Sequence, residues 1–464
     1  MLKRAKTLFS SAAMLMLLLA CGGSGSAPQP GPSQPDPLFV YPASTTIKVG
    51  GRVGFKARDA QGHDVEARFS LISGPGGTLD IRGNFRAPST PGSFRIQAVA
   101  VADPRRAAEA VVQSEPYVNT LETQANLLVP RSAHTATLLA DGSVLVVGGL
   151  ASSQAERYFP ENRTFTLAAS LGAPRWHHSA SFLPDGAVLI AGGERSPQTL
   201  DSALVFEGET FTSTPASMVS PRRRHGASVL ADGRVLLSGG LPVSGSEVVA
   251  TESAETFDPA TRRFRAAGTM AVPRADHTAT TLRDGRVLIV GGRNSTCFIS
   301  CPIRVWASAE IYDPATGAFS PTGSLHLARF SHTATLLPDG RVLVAGGTTT
   351  DLPYTDLVET VEVYDPAIGT FSEVGRMLRP RSQHQATLLG DGTVLLSGGR
   401  SETDGTLASP TVEAFNPATG TSRLTFSDRT TRYLHAAVLL ENGEVLVLGG
   451  SEGGGPITIS ERFR

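Results

Sequence analysis

Histidine and arginine recur at a fixed spacing along most of this chain. A histidine stands fourteen residues before each of seven Gly-Gly pairs, and an arginine stands three residues before each histidine. Imidazole nitrogens can ligate a metal ion, and guanidinium groups can bind a carboxylate or another anion. The histidines are His134, His178, His225, His277, His332, His384 and His435, and the arginines are Arg131, Arg175, Arg222, Arg274, Arg329, Arg381 and Arg432.

The regular spacing favours a structural role over chemistry. A metal site needs a few ligands that converge on one point, whereas equivalent positions of a repeat diverge around an axis. We therefore expect the histidines to be structural. We expect the arginines to form ion pairs that lock neighbouring repeats together, with a basic ring for an anionic ligand as the alternative. The partners would be a glutamate that six repeats carry: Glu156, Glu255, Glu310, Glu362, Glu413 and Glu461.

The residues around each histidine predict four strands. An apolar run follows the histidine, then Asp-Gly (Asn442-Gly443 in the last copy), then a second apolar run. Asp-Gly between two apolar runs is a strong hairpin signal. A third strand such as Glu310-Ile311-Tyr312 follows, then an Asp-Pro turn and a fourth strand with a phenylalanine. Four strands in a period of 44–55 residues correspond to one propeller blade.

The Gly-Gly pair, the Glu-x-Tyr-Asp-Pro run, the later aromatic and the histidine-containing start resemble the kelch repeat. The resemblance covers about residues 117–464 and implies an all-β fold, a seven-bladed kelch-type β-propeller. The last repeat stops at Arg464 with three strands. The segment Tyr117–Leu127, around Leu121, is therefore predicted to supply its fourth strand and close the ring.

The kelch family includes galactose oxidase, a copper enzyme that uses a Tyr cross-linked to Cys, a second Tyr and two His. Here the tyrosines of the third strand are repeat residues, as are seven of the ten histidines. The two cysteines beyond the N-terminal region, Cys297 and Cys301, stand close together in one loop, where a local disulfide is expected. We therefore predict no catalytic residues, no metal and no cofactor, and hence that the chain is not an enzyme.

Ligand binding is predicted on the uneven loops. The connections after the Gly-Gly pairs are long in the third to sixth repeats and lie on the same face as the histidine-containing starts. Function on rigid scaffolds is usually placed in such loops. Their aromatic and acidic residues could stack on a sugar or grip a peptide, and ordinary packing at the rim is the alternative. The candidates are Trp176, His177, Trp306, Asp351, Tyr354, Asp356 and Glu402.

The N-terminal region contains three further segments. Residues 1–21 combine a basic start, an apolar stretch and Leu18-Leu19-Ala20-Cys21, which resembles a bacterial lipoprotein signal with lipidation at Cys21. Residues 22–37 are rich in Pro, Gly and Ser and are predicted to be a tether. Residues 38–115 alternate apolar and polar residues. Motifs such as Gly83-Asn84-Phe85-Arg86-Ala87-Pro88 resemble bacterial immunoglobulin-like domains and imply a small Ig-like β-sandwich.

These features predict an exported protein, lipid-anchored to the cell envelope, with outer-membrane sorting expected from Gly22 after the cysteine. A net charge of −1 provides no basic field for nucleic acid. The predicted function is non-catalytic binding of an envelope protein or glycan partner on the loop face, with the membrane reached through the lipid anchor only. The alternatives are a carbohydrate-active enzyme, galactose-oxidase-like or sugar-isomerase-like, and a purely structural surface lipoprotein.

Overall fold

The computed structural model describes residues 35–150, 152–243, 247–297, 303–350, 356–401, 409, 411–427 and 431–464. Every regular element in these ranges is a β-strand, which confirms the predicted all-β fold. Nothing in the same ranges forms a helix with the length and hydropathy needed to cross a bilayer. The predicted signal at 1–21, with Cys21, and most of the predicted tether at 22–37 lie outside the described residues.

The first nine strands form a small unit with its own core. They are β1 (Phe39–Tyr41), β2 (Ser44–Lys48), β3 (Arg52–Gly54), β4 (Lys56–Arg58), β5 (Ala67–Ser73), β6 (Thr78–Leu79), β7 (Asn84–Arg86), β8 (Gly92–Ala100) and β9 (Ala107–Glu115). One sheet has the order β2-β9-β8-β5 and a second the order β3-β7-β6, while β1 pairs with β4. Between them lies a core that includes the buried side chains of Phe85, Phe94 and Ile96.

One strand pair of this small unit differs from the antiparallel sandwich that the alternation predicts. β2 runs parallel to β9, with Ser44 opposite Val111. The reason is a change of sheets at Pro42: β1 pairs with β4, and after Pro42 the chain leaves that partner. It continues as β2 alongside β9, the last strand of the unit, and runs in the same direction as β9. The resemblance to immunoglobulin-like domains stays a prediction.

The remaining main strands of the described chain form seven four-stranded sheets, here called blades 1 to 7. The strands of each blade are given from the inner strand outward. Blade 1 has β11 (Thr135–Leu138), β12 (Val144–Val147), β13 (Gln154–Phe159) and β14 (Thr164–Ser170), blade 2 has β15 (Ser179–Phe182), β16 (Val188–Ala191), β19 (Ala203–Glu207) and β20 (Thr210–Ser213), blade 3 has β21 (Gly226–Val229), β22 (Val235–Ser238), β24 (Ser253–Asp258) and β25 (Arg263–Thr269), and blade 4 has β26 (Thr278–Thr281), β27 (Val287–Val290), β29 (Ala309–Asp313) and β30 (Ala318–Pro321). Blade 5 has β31 (Thr333–Leu336), β32 (Val342–Ala345), β33 (Thr360–Asp365) and β34 (Thr370–Arg376), blade 6 has β35 (Gln385–Leu388), β36 (Val394–Ser397), β37 (Thr411–Asn416) and β38 (Thr421–Ser427), and blade 7 has β39 (Ala436–Leu439), β40 (Val445–Leu448), β43 (Ser460–Phe463) and β10 (Leu121–Thr123). Two short hairpins lie in loops: β17 (Glu194–Arg195) with β18 (Gln198–Thr199), and β41 (Ser451–Glu452) with β42 (Gly455–Pro456). A third short pair, β23 (Glu247–Val249) with β28 (Ser295–Cys297), joins a loop of blade 3 to a loop of blade 4.

The blades form a closed circle. Each inner strand contacts the inner strand of the next blade, and β39 of blade 7 contacts β11 of blade 1. Blade 7 is completed by β10, whose Leu121 lies opposite Phe463, which confirms the closure predicted from the sequence. Because N-terminal and C-terminal segments share this sheet, the ring has no open blade.

The blade interior explains the repeated aromatic residues. The second strand of every blade is fully buried, because the sheet is covered on both faces. On the outer half of five blades, an aromatic ring of the third strand packs on the phenylalanine of the fourth, with centroids 4.8–5.1 Å apart. Such tilted aromatic pairs add specific packing to the burial of apolar area.

The Gly-Gly pairs join neighbouring blades. The second glycine of each pair donates its N–H to the carbonyl of the repeat arginine of the next blade, as Gly149 does to Arg175 at 2.8 Å and Gly450 to Arg131 at 2.9 Å. A Cβ on the first glycine, Gly148, would lie 2.4 Å from the Arg175 carbonyl oxygen. Both glycines also adopt positive φ. Glycine is therefore required by close approach and by conformation at once.

The small unit packs on one end of the propeller. The histidine-containing starts lie at one end of the inner strands, which we call the ring face, and the Asp-Gly turns lie at the other, the hairpin face. Lys48 N–H donates to the carbonyl of Asn442 on the hairpin face at 2.7 Å, and a Cβ on Gly390 would lie 1.8 Å from the Val49 carbonyl oxygen. Val49 belongs to the same buried cluster as Leu389. The contact is therefore close and partly apolar, and it leaves the ring face uncovered by this unit.

Candidate functional site

A ring of backbone hydrogen bonds surrounds the propeller axis at the ring face. It is formed by the residue directly before each repeat histidine, and all seven residues have a φ of 51° to 54°. Each N–H donates to the carbonyl of its counterpart in the preceding blade, at 2.8–3.4 Å, and the seventh bond closes the circle. We call this set the axial ring: Ala133, His177, Arg224, Asp276, Ser331, Gln383 and Leu434.

Positive φ is uncommon for residues other than glycine. Here the closed circle of hydrogen bonds and the packing around it hold all seven residues in that conformation. The backbone is the same in every blade, while the side chain differs in every blade. The axial ring is thus a uniform frame that presents seven different side chains around one axis.

The repeat histidines support this frame. Nε2 of six of them bonds to a Ser or Thr hydroxyl of the preceding blade at 2.8–3.0 Å. Burial lowers the pKa of all seven, so the imidazoles are neutral at pH 7. In the seventh, His134, both ring nitrogens are buried without a partner in the described chain. The hydroxyl position used by most copies is Ala436 in the preceding blade.

The repeat arginines are also part of the scaffold. Six bind the predicted glutamates: Arg131 with Glu156, Arg222 with Glu255, Arg274 with Glu310, Arg329 with Glu362, Arg381 with Glu413 and Arg432 with Glu461. The expectation that these ion pairs lock neighbouring repeats is wrong in its geometry. Each pair lies within one blade, because the arginine side chain turns toward the third strand of its own repeat. The link to the preceding blade is made by the backbone carbonyl of the arginine, which accepts the glycine N–H described above.

Blade 2 departs from this pattern. Leu204 occupies the glutamate position there, opposite Ile190, as Glu156 lies opposite Val146 in blade 1. Arg175 is buried and has no carboxylate within ion-pair distance among the described residues. It donates instead to the carbonyls of Gly192 and Ser202 at 2.7 and 2.8 Å. Burial lowers the pKa of Arg175 to about 10.

A cavity of about 240 Å³ opens at the axial ring. Its lining is mostly polar: six axial-ring residues, of which only Leu434 is apolar, four repeat histidines and the neighbouring Gln385. Of the ring, Ser331 and Gln383 offer hydroxyl and amide groups, and the buried Oε1 of Gln383 has no hydrogen-bond partner in the described chain. The site therefore contains donors and acceptors suited to a polar ligand.

Charged side chains are concentrated on one side of this cavity. Arg224 lies at their centre, with Nη2 2.9 Å from Nε2 of His177, and Nη1 donates to Oδ1 of Asp276 at 3.0 Å. Arg293 binds the second oxygen of Asp276 at 2.8 Å. Burial acts to raise the pKa of Asp276, but Arg224 and Arg293 outweigh it and hold that pKa well below its usual range.

The same side of the cavity extends outward to Glu194, whose carboxylate lies 3.3 Å from Nε of Arg223. We call these residues together the charged arc: His177, Glu194, Arg223, Arg224, Asp276 and Arg293. Burial, followed by the charge of Arg224, lowers the pKa of His177 well below its usual value, so His177 is neutral. Among the described residues, the arc combines three guanidinium groups with two carboxylates around the rim of the cavity.

Of the predicted ligand-binding residues that the structure describes, only His177 lines the cavity. Trp176 precedes it and its backbone pairs with Glu194. Trp306 is held elsewhere, with Nε1 donating to the carbonyl of Pro273 at 2.8 Å. Asp356 is exposed and away from the cavity lining.

The structure thus does not bring Trp306 and Asp356 together with His177 at the cavity, and a ligand-binding role of either residue stays a prediction. Three of the candidates, Asp351, Tyr354 and Glu402, lie outside the described residues, as does Cys301. The predicted disulfide of Cys297 with Cys301 thus lies there too.

Sequence reasoning missed the charged arc and the axial ring. Attention fell on positions that stay constant, Arg and His, and on the long loops. A usable signal was nevertheless present, since the two residues between the constant arginine and histidine vary, and the one directly before the histidine differs in every repeat. In a repeat scaffold, such a variable position inside a constant motif indicates a presented side chain.

Comparison with known proteins gives a fold and one short match. The solved structure of a fungal alcohol oxidase of the AA5 family, in complex with copper, is similar with a TM-score of 0.61 and 16% identity, over 75% of this chain and 76% of that chain. A stretch of 79 residues is 39% identical to tRNA wybutosine-synthesizing protein 4 of Saccharomyces cerevisiae, which is 17% of this chain and only 10% of the yeast protein. No protein-family model matches the chain.

The structural likeness supports a galactose-oxidase or kelch type of all-β fold. The prediction that the chain is not an enzyme is wrong as an inference from this architecture, because the similar structure is that of an enzyme. At 16% identity the likeness shows the fold alone.

The copper of that oxidase prompts a test of the donor set in this chain. Among the described residues, no group of three His, Cys, Asp or Glu side chains is placed to hold a metal ion. Tyr158, Tyr312 and Tyr364 pack against phenylalanines inside their blades, with ring centroids 4.8–4.9 Å apart. These three tyrosines are therefore packed inside their blades and do not supply the tyrosine ligands that the galactose oxidase resemblance implies.

Proposed function

We propose that this chain is an exported cell-envelope protein whose propeller binds a glycan at the axial ring, and that the group bound there is a carboxylated sugar. The observation that carries the proposal is the closed axial ring, which presents different polar side chains around a cavity of about 240 Å³.

The charge of the site supports an acidic sugar. Arg224 borders the cavity directly, with its guanidinium group beside Asp276 and His177. A guanidinium group binds carboxylates through charge-assisted hydrogen bonds. Ser331 and Gln383 add groups that can both donate to and accept from sugar hydroxyls.

The placement of the small unit supports presentation at an envelope. The unit packs on the hairpin face, and the segment that resembles a lipoprotein signal and tether precedes it in the chain. A chain attached through that segment would direct the ring face away from its attachment point.

The proposal is tested by isothermal titration with galacturonate and glucuronate oligosaccharides and with their neutral counterparts. We expect saturable binding of the acidic sugars and at least tenfold weaker binding of the neutral ones. Gln383→Leu removes an amide from the cavity without breaking a hydrogen bond of its Oε1, so it should weaken binding and leave the thermal midpoint unchanged. Arg224→Gln should weaken binding further.

The matched control is Arg286→Gln, which removes an exposed arginine that binds Asp284 on the hairpin face. Equal affinity for acidic and neutral sugars, or an equal effect of the control, would contradict the proposal. Chromatography of the bound sugar after incubation tests the carbohydrate-active alternative, because an oxidised or isomerised product would assign an enzyme to the same site.

A further inference from the structure

A second cavity of about 310 Å³ lies on the hairpin face, between the small unit and the propeller. Five leucines line it, and three of them stand at the end of an inner strand: Leu138 of blade 1, Leu388 of blade 6 and Leu439 of blade 7. None of the three is fully buried, and Leu439 is 37% exposed. The propeller therefore presents apolar surface to a cavity that the small unit only partly covers.

Two arginines of the small unit border the same cavity. Arg52 on β3 lies directly opposite Arg86 on β7, and both side chains are exposed. Like charges directly opposite on paired strands destabilise the pair. Neither arginine has a carboxylate within ion-pair distance in the described chain. Two positive charges are thus held together at the edge of an apolar cavity.

One carboxylate, that of Glu441, also borders the cavity. Burial raises the pKa of Glu441, although the charge of Arg52 acts to lower it. A single carboxylate cannot compensate both arginines, so the cavity keeps a positive charge beside its leucines. This combination is complementary to an anion that carries an apolar chain.

We propose that this cavity binds a medium-chain fatty acid, with its carboxylate on Arg52 and Arg86 and its alkyl chain against the three leucines. The volume of about 310 Å³ is at the lower end of the roughly 300–1,000 Å³ of small-molecule sites. It suits one alkyl chain and is too small for a phospholipid with two. The site lies at the end of the propeller opposite the axial ring, so the proposal does not depend on the proposed glycan function.

The test is isothermal titration of dodecanoate, below its micelle concentration, into the full chain carrying Cys21→Ser, so that no attached acyl chain competes. We expect saturable binding with one site per chain. Arg86→Gln should weaken it about tenfold, and so should dodecanol in place of the acid, because each removes one partner of the charge-assisted bond. Leu439→Ser tests the apolar part and should weaken binding as well. Its side chain is partly exposed, so the fold tolerates the change.

Arg82→Gln is the matched control, because Arg82 is an exposed arginine of the same unit that does not line the cavity. It should leave the affinity unchanged. Equal affinities for the Arg86→Gln and Arg82→Gln proteins, or for the acid and the alcohol, would overturn the proposal. Failure to bind dodecanoate, together with pelleting on anionic phospholipid vesicles, would overturn it in favour of a membrane-surface contact.

Discussion

Blade 2 offers a direct test of what the repeated ion pair contributes. Leu204 stands where six blades carry a glutamate, and Arg175 is buried beside it without a carboxylate partner among the described residues. Since Leu204 and Glu156 occupy the same register position of their sheets, Leu204→Glu should place a carboxylate on Arg175. We expect this substitution to stabilise the protein.

The size of the stabilisation expected from Leu204→Glu follows from the pKa of Arg175. Its fall from an ordinary 12.5 to about 10 represents roughly 3 kcal/mol of lost stabilisation of the charged guanidinium. Burial of the new glutamate removes its carboxylate from water, which offsets part of this stabilisation. Backbone N–H groups can lower that desolvation cost, as those of Leu128 and Val129 do by donating to Glu156 at 2.7 and 3.0 Å. We therefore expect a net stabilisation of about 1–2 kcal/mol.

The converse substitution, Glu156→Leu, shows how much the ion pair of one blade contributes to the free energy of unfolding. Glu156→Leu makes blade 1 resemble blade 2 and leaves Arg131 buried and unpaired, which should cost about 3–5 kcal/mol. Leu204→Gln is the control for shape and hydrogen bonding without charge, and it should gain less than Leu204→Glu. Urea denaturation followed by near-ultraviolet circular dichroism compares the variants. A lower midpoint for Leu204→Glu than for the unmodified protein would refute the reasoning.

Three further substitutions test the scaffold. Gly390→Ala places a Cβ against the backbone carbonyl of Val49, so it should loosen the small unit and speed hydrogen exchange there without unfolding the propeller. Ala436→Thr offers a hydroxyl to His134, whose ring nitrogens lack a partner in the described chain, and should stabilise by about 1 kcal/mol, measured as a higher urea midpoint. Burial lowers the pKa of His384 to about 3, so the stability present above its unfolded pKa of about 6.5 should be lost as pH falls toward 3. His384→Gln should flatten that dependence of the thermal midpoint on pH.

A specific result would contradict each of these three predictions. Ala231→Ser changes the position equivalent to Gly390 in blade 3, away from the small unit, and an equal rise in exchange at Lys48 would show that the docking contact is not the cause. A lower midpoint for Ala436→Thr would place His134 in a pocket with no room for the hydroxyl. An unchanged pH profile for His384→Gln would show that this imidazole does not govern acid stability.

The repeat made much of the fold predictable. Spacing between the histidine, Asp-Gly and Gly-Gly fixes two strands and the turn between them, because each signal acts locally. Closure through Leu121 was predictable for the same reason, since a missing fourth strand had one candidate segment. Gly390 could also have been noticed as a glycine where the other copies carry side chains, but its cause, the approach of Val49, involves residues far apart in sequence.

The candidate site was less predictable, because its geometry belongs to the assembled ring. Nothing in the local sequence of Arg224 or Asp276 indicates positive φ. Six of the ring bonds join segments about fifty residues apart, and the seventh joins Ala133 to Leu434 near the other end of the propeller sequence. The charged arc likewise combines three blades. Loop length and aromatic content drew attention to Trp306, whose indole is bound within its own blade.

The central claim is that the axial ring binds the ligand, and a crystal structure of the protein soaked with a galacturonate oligosaccharide tests it most directly. We predict electron density for the sugar at the cavity of the ring face, with its carboxylate within hydrogen-bond distance of Arg224 and its hydroxyls near Ser331 and Gln383. Sugar bound at another surface, with the axial cavity unchanged, would contradict the account.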